Sequence, residues 1–472
     1  MSRATVSTPR SKKGTPRKSI ARAGRTFRAT VNYLDSLTNY ERVLGAAYNK
    51  RNFSLARMNR ILKVLDNPHK AVKTAHIAGT KGKGSTATML AEMIRSSGAK
   101  VGLYTSPHIL DIRERIRIDG EKISESQFVR VIAAVESAAK KAKIADPTYF
   151  EMLTAAAFLY FAQEEVAIAV IETGLGGRLD STNVVTPEVV GITSISMDHM
   201  AQLGHDLGLI AAEKAAVMKK GVVAISAPQP EKVRNVLMKA AMEIGATLHF
   251  ANENVDFSYR FEFSRAAGRH ARICVTTPRS RFEHLQVPLF GEHQATNCCL
   301  ALNMLDVLKS RGFAVDDQHA IQGLSRVELL GRMQLISEEP RILVDGAHNA
   351  ASIDALMRAI GQHIPYDSMI VIFACQKDKD IPGMIRRLQV GADKMIFTYT
   401  GSPRTADAEE LAAQYMEVSG KMAQVARTLD DAMQIAQSAI TREDLICITG
   451  SFYLVAEAMR KYAGKNTAPA AV

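Results

Sequence analysis

Ala75-His-Ile-Ala-Gly-Thr-Lys-Gly-Lys-Gly-Ser-Thr86 decides how this chain folds. An apolar run ends in a glycine-rich turn, and an amphipathic segment follows from Ala87 to Ser97. That order predicts strand, loop, helix. The glycines let the backbone bend tightly and aim N–H groups into a small cup. The helix N-terminus adds partial positive charge. Gly79, Thr80, Lys81, Gly82, Lys83, Gly84, Ser85 and Thr86 thus form a shortened phosphate-binding loop. Lys83 supplies a full charge for the terminal phosphates of a nucleotide, and Ser85 or Thr86 a hydroxyl. A glycine-rich turn alone would be an ordinary corner; the Thr-x-Gly-Lys core makes it a nucleotide site.

Working outward, buried strands alternate with helices. Val101–Tyr104 and Val166–Glu172 are read as strands, as is Val189–Ile195. Helices are expected over Thr30–Tyr48, Ser54–Leu65, Ser124–Ala142, Tyr149–Gln163 and Leu209–Met218, and a strand over Glu114–Ile118. The pattern predicts a doubly wound parallel sheet, whose ligands sit beyond the carboxyl ends of its strands. Polar clusters fall at those ends: Ser106, Glu172, Asp198-His199. Phe257–Val287 reads as a small excursion of short strands. The alternation restarts with Arg341–Val344, capped by Asp345-Gly-Ala-His-Asn349. The expected architecture is α/β. A phosphate-loop ATPase domain covers residues 31–327, and 328–332 form a hinge. A smaller Rossmann-like domain covers 333–465, and the site lies between the two.

The formal charge is +12, and residues 1–30 hold much of the surplus, with no Asp or Glu. That segment is too polar to bury a core and is expected to be disordered, as is the tail 466–472. It reads as a solvated tail, a nucleic-acid-binding arm or an organellar transit peptide. No apolar stretch reaches membrane-span length. Cys274, Cys298, Cys299, Cys375 and Cys447 show no metal spacing and are expected to be small buried hydrophobes of a reduced, cytoplasmic compartment. Bound nucleotide calls for Mg²⁺, a hard cation that prefers oxygen. The Ser106 hydroxyl, the Glu172 carboxylate and the His199 ring are candidates. Asp345 suits ribose hydroxyls, His348 phosphate, and Arg332 a charge clamp at the hinge.

Gly79–Ser85, Tyr104-Thr-Ser-Pro-His108, Glu172-Thr-Gly-Leu-Gly-Gly-Arg-Leu-Asp-Ser-Thr-Asn183, Asp198-His199, Glu213-Lys214, Gly291-Glu-His-Gln294 with Asn297, Gly331-Arg332 and Asp345–Asn349 occur in one order. Together they resemble the folylpolyglutamate synthase/dihydrofolate synthase family of the Mur ligase superfamily, over about residues 33–460. The resemblance implies an ATP-dependent ligase that adds L-glutamate to folate or dihydropteroate. It implies Mg²⁺ on Ser106, Glu172 and His199, and a second ion on Lys214 if that lysine is carbamylated. It implies ATP contacts from Asn297, Arg332, Asp345 and His348, and pterin contacts from Phe150 and Asp180. Lys83, Lys214 and His199 would carry catalysis. There are departures: Lys81 replaces the family's usual asparagine, the hinge reads Glu-Leu-Leu-Gly-Arg, and no proline follows Asn349.

Two rivals remain. A peptidoglycan-building Mur ligase would need a nucleotide-sugar domain before the loop, and Val31–Ala78 is too short for one. A nucleic-acid NTPase would need a broad basic face, which the near-neutral body lacks. A monomer acting on small molecules is expected.

Overall fold

Thr74–Ala78 (β1) is buried at every position, the mark of a strand covered on both faces. In the computed structural model, β1 lies inside an eight-stranded sheet. The structure describes residues 25–40, 53–197, 200–204, 206–251, 253, 256–264 and 268–463. The other strands are β2 (Val101–Tyr104), β3 (Ile116–Ile118), β4 (Glu121–Lys122), β5 (Ile168–Glu172), β6 (Val189–Ile192), β7 (Val223–Ser226) and β8 (Thr247–Phe250). Their order is β4-β3-β2-β5-β1-β6-β7-β8, parallel from β2 to β8. Ile77 pairs with Glu172, Ala78 with Ile192 and Tyr104 with Ile171. This register brings the loops after β1, β2, β5 and β6 to one edge.

Alternate residues of β5 feed different layers. Ile168 and Val170 pack with helices Lys83–Arg95 and Glu292–Ser310, whereas Ala169 and Ile171 pack with Tyr149–Gln163. That last helix is buried from Met152 to Phe161, so it has no solvent face.

The excursion is an antiparallel meander of full-length strands: β9 (Asp256–Ser264), β10 (Gly268–Thr277) and β11 (Ser280–Val287). Burial in β11 alternates on either side of a register shift at Glu283-His284, with Ser280 and Phe282 and then Leu285 and Val287 inward, as one covered face requires.

A second sheet follows, with β12 (Gln334–Glu338), β13 (Arg341–Asp345), β14 (Met369–Phe373), β15 (Lys394–Phe397), β16 (Gln424–Val425) and β17 (Leu445–Thr449). The order is β12-β13-β17-β14-β15-β16, with β12 antiparallel and the rest parallel. Asp345 and Phe373 both pair with Thr449, which aligns three strand ends.

Several expectations change. Residues 25–30 are not part of a disordered tail. Thr26 caps a helix over Phe27–Asp35, Phe27 meets Phe128 edge-on at 5.7 Å, and Arg25 pairs with Glu136 at 2.6 Å. That helix stops at Asp35 rather than Tyr48, because Ser36 turns its N–H and hydroxyl back onto the last carbonyls. Residues 1–24, 41–52 and the tail from 464 lie outside the described residues. The phosphate-loop helix starts at Lys83, not Ala87. Glu114 begins no strand: its carboxylate accepts the N–H groups of Ile109, Leu110 and Asp111 and folds Ile112–Arg115 into a 3₁₀ turn. Cys298, Cys299, Cys375 and Cys447 are buried, while Cys274 on the meander is half-buried. Among the described residues no helix is long and apolar enough to cross a membrane.

Candidate functional site

At the shared strand edge the chain leaves β1 through Gly79 at φ 147° and Gly82 at φ 86°. A β-carbon on Gly82 would sit 2.1 Å from Asn297 Oδ1, and one on Gly79 1.8 Å from Thr193 Oγ1. Glycine is required here by contact as much as by dihedral. Not every loop N–H faces a ligand. Those of Thr80 and Lys81 donate to Ser194 O at 2.9 and 3.2 Å, and the Thr80 hydroxyl is laced to the Ser196 backbone. The N–H groups of Lys83, Gly84 and Ser85 open a helix, where the backbone offers no partner four residues back.

Lys214 reaches this loop from behind. It is buried on the helix Leu207–Ala215, and its ammonium donates to Gly79 O at 2.6 Å. Glu172 closes the other side, its Oε2 3.3 Å from where a Gly84 β-carbon would be. The Ser106 N–H donates to Glu172 Oε2 at 2.9 Å. Burial pushes this carboxyl up to about 7, against the pull of Lys83, the Ser106 N–H, Arg332 and Arg115.

The donor set fits a hard divalent cation. A carboxylate whose burial disfavours its charge sits beside the half-buried Ser106. The hydroxyls of Thr86 and Thr173, buried nearby in sequence, have no hydrogen-bond partner among the described residues. Among the described residues no three His, Cys, Asp or Glu side chains converge on a metal position. The third expected ligand, His199, and its neighbour Asp198 lie outside the described residues.

The opposite wall comes from the second sheet. Asp345 ends β13, its oxygens accepting the N–H groups of Met333 at 2.8 Å and Ala347 at 2.7 Å. Burial raises its carboxyl, and Arg332 and those two N–H groups oppose the rise. The Arg332 guanidinium lies 4.5 Å over the Phe452 ring, and His348 packs 5.7 Å from the same ring. A β-carbon on Gly346 would come within 2.2 Å of Phe452 and 2.7 Å of Arg332, so glycine makes room for this column. Lys81 Nζ spans the gap between walls to His348 Nε2 at 3.3 Å.

Between the walls lies a cavity of about 470 Å³. Lys81, Lys83, Ser106, Phe150, Glu172 and Asp180 line it from one side, and Arg332 and His348 from the other. Phe150 is half-buried against Tyr104, 5.9 Å away. Asn297 is buried, donating to Gln294 Oε1 at 3.1 Å beside Gly82.

Asp180 lines the cavity and is also bound into its own loop. Oδ2 accepts Gly174 N and Leu175 N, both at 2.9 Å, and Oδ1 accepts the Thr182 N–H and hydroxyl. A carboxylate offers about four acceptor positions, and these four bonds use them. Because the Thr182 hydroxyl donates to Asp180, the His76 ring on β1 donates its Nε2–H to Thr182, at 2.8 Å. Burial holds that imidazole neutral, pushed down to about 3. Asp180 thus ties the glycine loop after β5 to β1.

Sequence reasoning missed Arg115, Phe452 and the cavity's far cationic side. Arg115 is buried, its Nε donating to His108 Nδ1 at 2.9 Å. Lys379 and Arg404 line the cavity from the second sheet's side, Arg404 donating to Asp378 at 2.9 Å. Local sequence did not mark Arg115, because its burial and its bond to His108 exist only once the Ile112–Arg115 turn has folded back.

Comparison with known proteins agrees with this geometry. Residues 77–305 match the Mur ligase middle domain and 331–452 the Mur ligase glutamate ligase domain. The dihydrofolate synthase/folylpolyglutamate synthase of Bacillus subtilis is 32% identical over 413 residues, 86% of this chain and 94% of that one. The Mycobacterium tuberculosis folylpolyglutamate synthase complexed with ADP superposes with a TM-score of 0.84 at 29% identity, covering 93% of this chain and 98% of the other. A bifunctional folylpolyglutamate synthase/dihydrofolate synthase with Mn, AMPPNP and L-glutamate bound gives 0.79 at 29% identity, over 94% and 99%.

Proposed function

Because the chain belongs to the folylpolyglutamate synthase/dihydrofolate synthase family of Mur ligases, we propose that it joins L-glutamate to the carboxyl group of a folate, and to that of dihydropteroate, at the expense of ATP. A carboxylate is a poor acyl donor, since its leaving group would be oxide. Transfer of the ATP γ-phosphoryl makes it an acyl phosphate and releases ADP. The glutamate amine then attacks the acyl carbon, and phosphate leaves. No nucleophilic side chain is needed; the protein positions groups and neutralises charge.

The observation that carries this reading is the cavity where Lys83 and Glu172 of one lobe face Arg332 and His348 of the other. Lys83 and the N–H groups at the start of its helix hold the phosphates. Glu172, Ser106 and His199 are the residues that would hold Mg²⁺, which when bound neutralises charge on the transferring phosphoryl. Lys214 holds the phosphate loop through Gly79 O as an ammonium; carbamylation for a second ion would replace that cation with an anion. Of the residues that the family resemblance assigns to the nucleotide, Arg332 lines the cavity, whereas Asp345 and Asn297 are buried behind it, Asp345 holding Met333 and Ala347 and Asn297 lying against Gly82. Phe150 offers a ring to the pterin, and Asp180 shapes the loop beside it. Lys379 and Arg404 suit the two carboxylates of glutamate. The linker 328–332 separates a first domain, which includes the Phe27–Asp35 helix and runs to residue 327, from a second that begins at 333, and their approach keeps the acyl phosphate dry.

Incubation with ATP, Mg²⁺ and L-glutamate tests the proposal, with dihydropteroate and tetrahydrofolate as parallel acceptors. ADP release and a glutamylated product are expected with each. ADP release without acceptor, or none at all, overturns it.

A further inference from the structure

Lys81 occupies the loop position where the family resemblance leads one to expect asparagine, and its extra reach has a destination. Its backbone N–H is tied to Ser194 O, so the root of the side chain is fixed. Its ammonium crosses the cavity to His348 Nε2, 3.3 Å away on the opposite wall. His348 Nδ1 lies 2.7 Å from Gly346 O, a carbonyl that can only accept. Nδ1 therefore carries the proton, and Nε2 turns its lone pair to the ammonium. The ring cannot drift freely, because it packs on Phe452, which in turn lies under Arg332. A shorter asparagine would stop before the ring.

We propose that Lys81 and His348 form a cross-cleft latch that closes between the lobes when nucleotide is absent and passes to the phosphates when ATP enters. This rests on the ATP reading above. An ammonium bonds a neutral imidazole less strongly than a phosphate oxygen, where both partners are charged. The triphosphate therefore takes the lysine from the histidine. Until then the latch keeps the two walls near their working separation, which lessens the ordering that binding must impose. Lys81 is in this sense a positioning residue, contributing to nucleotide affinity through the arrangement of the lobes as well as through its charge.

The test compares the wild type with Lys81→Met, Lys81→Asn, His348→Ala and the Lys81→Met/His348→Ala double variant. Small-angle X-ray scattering without nucleotide reads the lobe arrangement, and calorimetry with Mg²⁺ and AMPPNP reads affinity. Each single variant should enlarge the radius of gyration of the nucleotide-free chain, and the double variant should enlarge it no further. Saturating AMPPNP should return Lys81→Met and Lys81→Asn to the wild-type value. Affinity for AMPPNP should fall about tenfold in Lys81→Met, the loss expected for one charge-assisted bond. Unchanged scattering in both single variants, or a double variant showing the sum of two effects, overturns the latch. Unchanged scattering with a tenfold affinity loss would make Lys81 a phosphate ligand only, again overturning it. A wild type that binds no AMPPNP would overturn the hand-over together with the ATP reading, while the nucleotide-free scattering would still judge the closed contact.

Discussion

The two walls of the cleft are made by different means. The wall after β1 is made of backbone: Gly79 and Gly82 take dihedrals that favour glycine, and Gly84 lets Glu172 approach. The wall after β13 is made of packed side chains. Arg332 and His348 share the Phe452 ring, which lies more than a hundred residues along the chain, and Gly346 matters for the volume it leaves empty. A backbone-built wall tolerates little change because its donors are the main chain itself. A side-chain-built wall can be loosened by degrees.

Breaking the first wall should have the largest effect. Lys83→Ala should lower kcat by about 10²–10³-fold, the scale of losing one preorganised charge at a developing oxyanion. Its circular dichroism and melting temperature should stay near wild type, because among the described residues the Lys83 side chain has one hydrogen bond, a long one to Thr80 O at 3.5 Å, besides its charge interaction with Glu172. Near-normal turnover would remove Lys83 from the chemistry.

The second wall should fail more gently. Gly346→Ala pushes a methyl into Phe452 and Arg332, so the column must shift. We expect the KM for ATP to rise about tenfold, with stability lowered by about 1–3 kcal/mol, the usual cost of overpacking. A larger fall in kcat than rise in KM would mean that the column acts on the reacting phosphoryl rather than on nucleotide binding.

Asp180→Asn sharpens the contrast within the first wall. The amide cannot accept four bonds, so the loop Gly174–Thr182 should loosen, lowering stability by about 1–3 kcal/mol. Activity with dihydropteroate and with tetrahydrofolate should fall by the same factor. A selective loss with dihydropteroate would show that Asp180 touches the pterin directly.

The smallest effect is expected far from both walls. Thr26→Ala removes the side-chain cap of the first helix, which accepts Ala29 N at 3.2 Å, and should cost about 1 kcal/mol in thermal unfolding while leaving kinetics unchanged. A change in KM would tie that helix to the cavity.

Local sequence carried the phosphate loop, the parallel alternation and the positions of Ser106, Glu172 and Asp345, because each stands at the end of an apolar run. The helix Tyr149–Gln163 was legible to the residue, since a segment apolar all round has one solution. The meander was misjudged as short strands because polar residues on its open face interrupt the apolar count. Asp180 was legible as a polar loop residue, but not as a saturated acceptor, since its bonds depend on how the loop turns back.

What the residues determined unaided was the chemistry available: a turn that glycine alone permits, a cation beside it, and carboxylates at the ends of buried strands. Tertiary structure decided which of these meet. Phe452 joins Arg332 to His348, and Lys81 reaches across the cavity, only because two sheets present their strand ends to each other. The reason is physical: dihedral and hydrophobic preferences act over a few residues, whereas a contact between distant segments exists only after both lobes have packed.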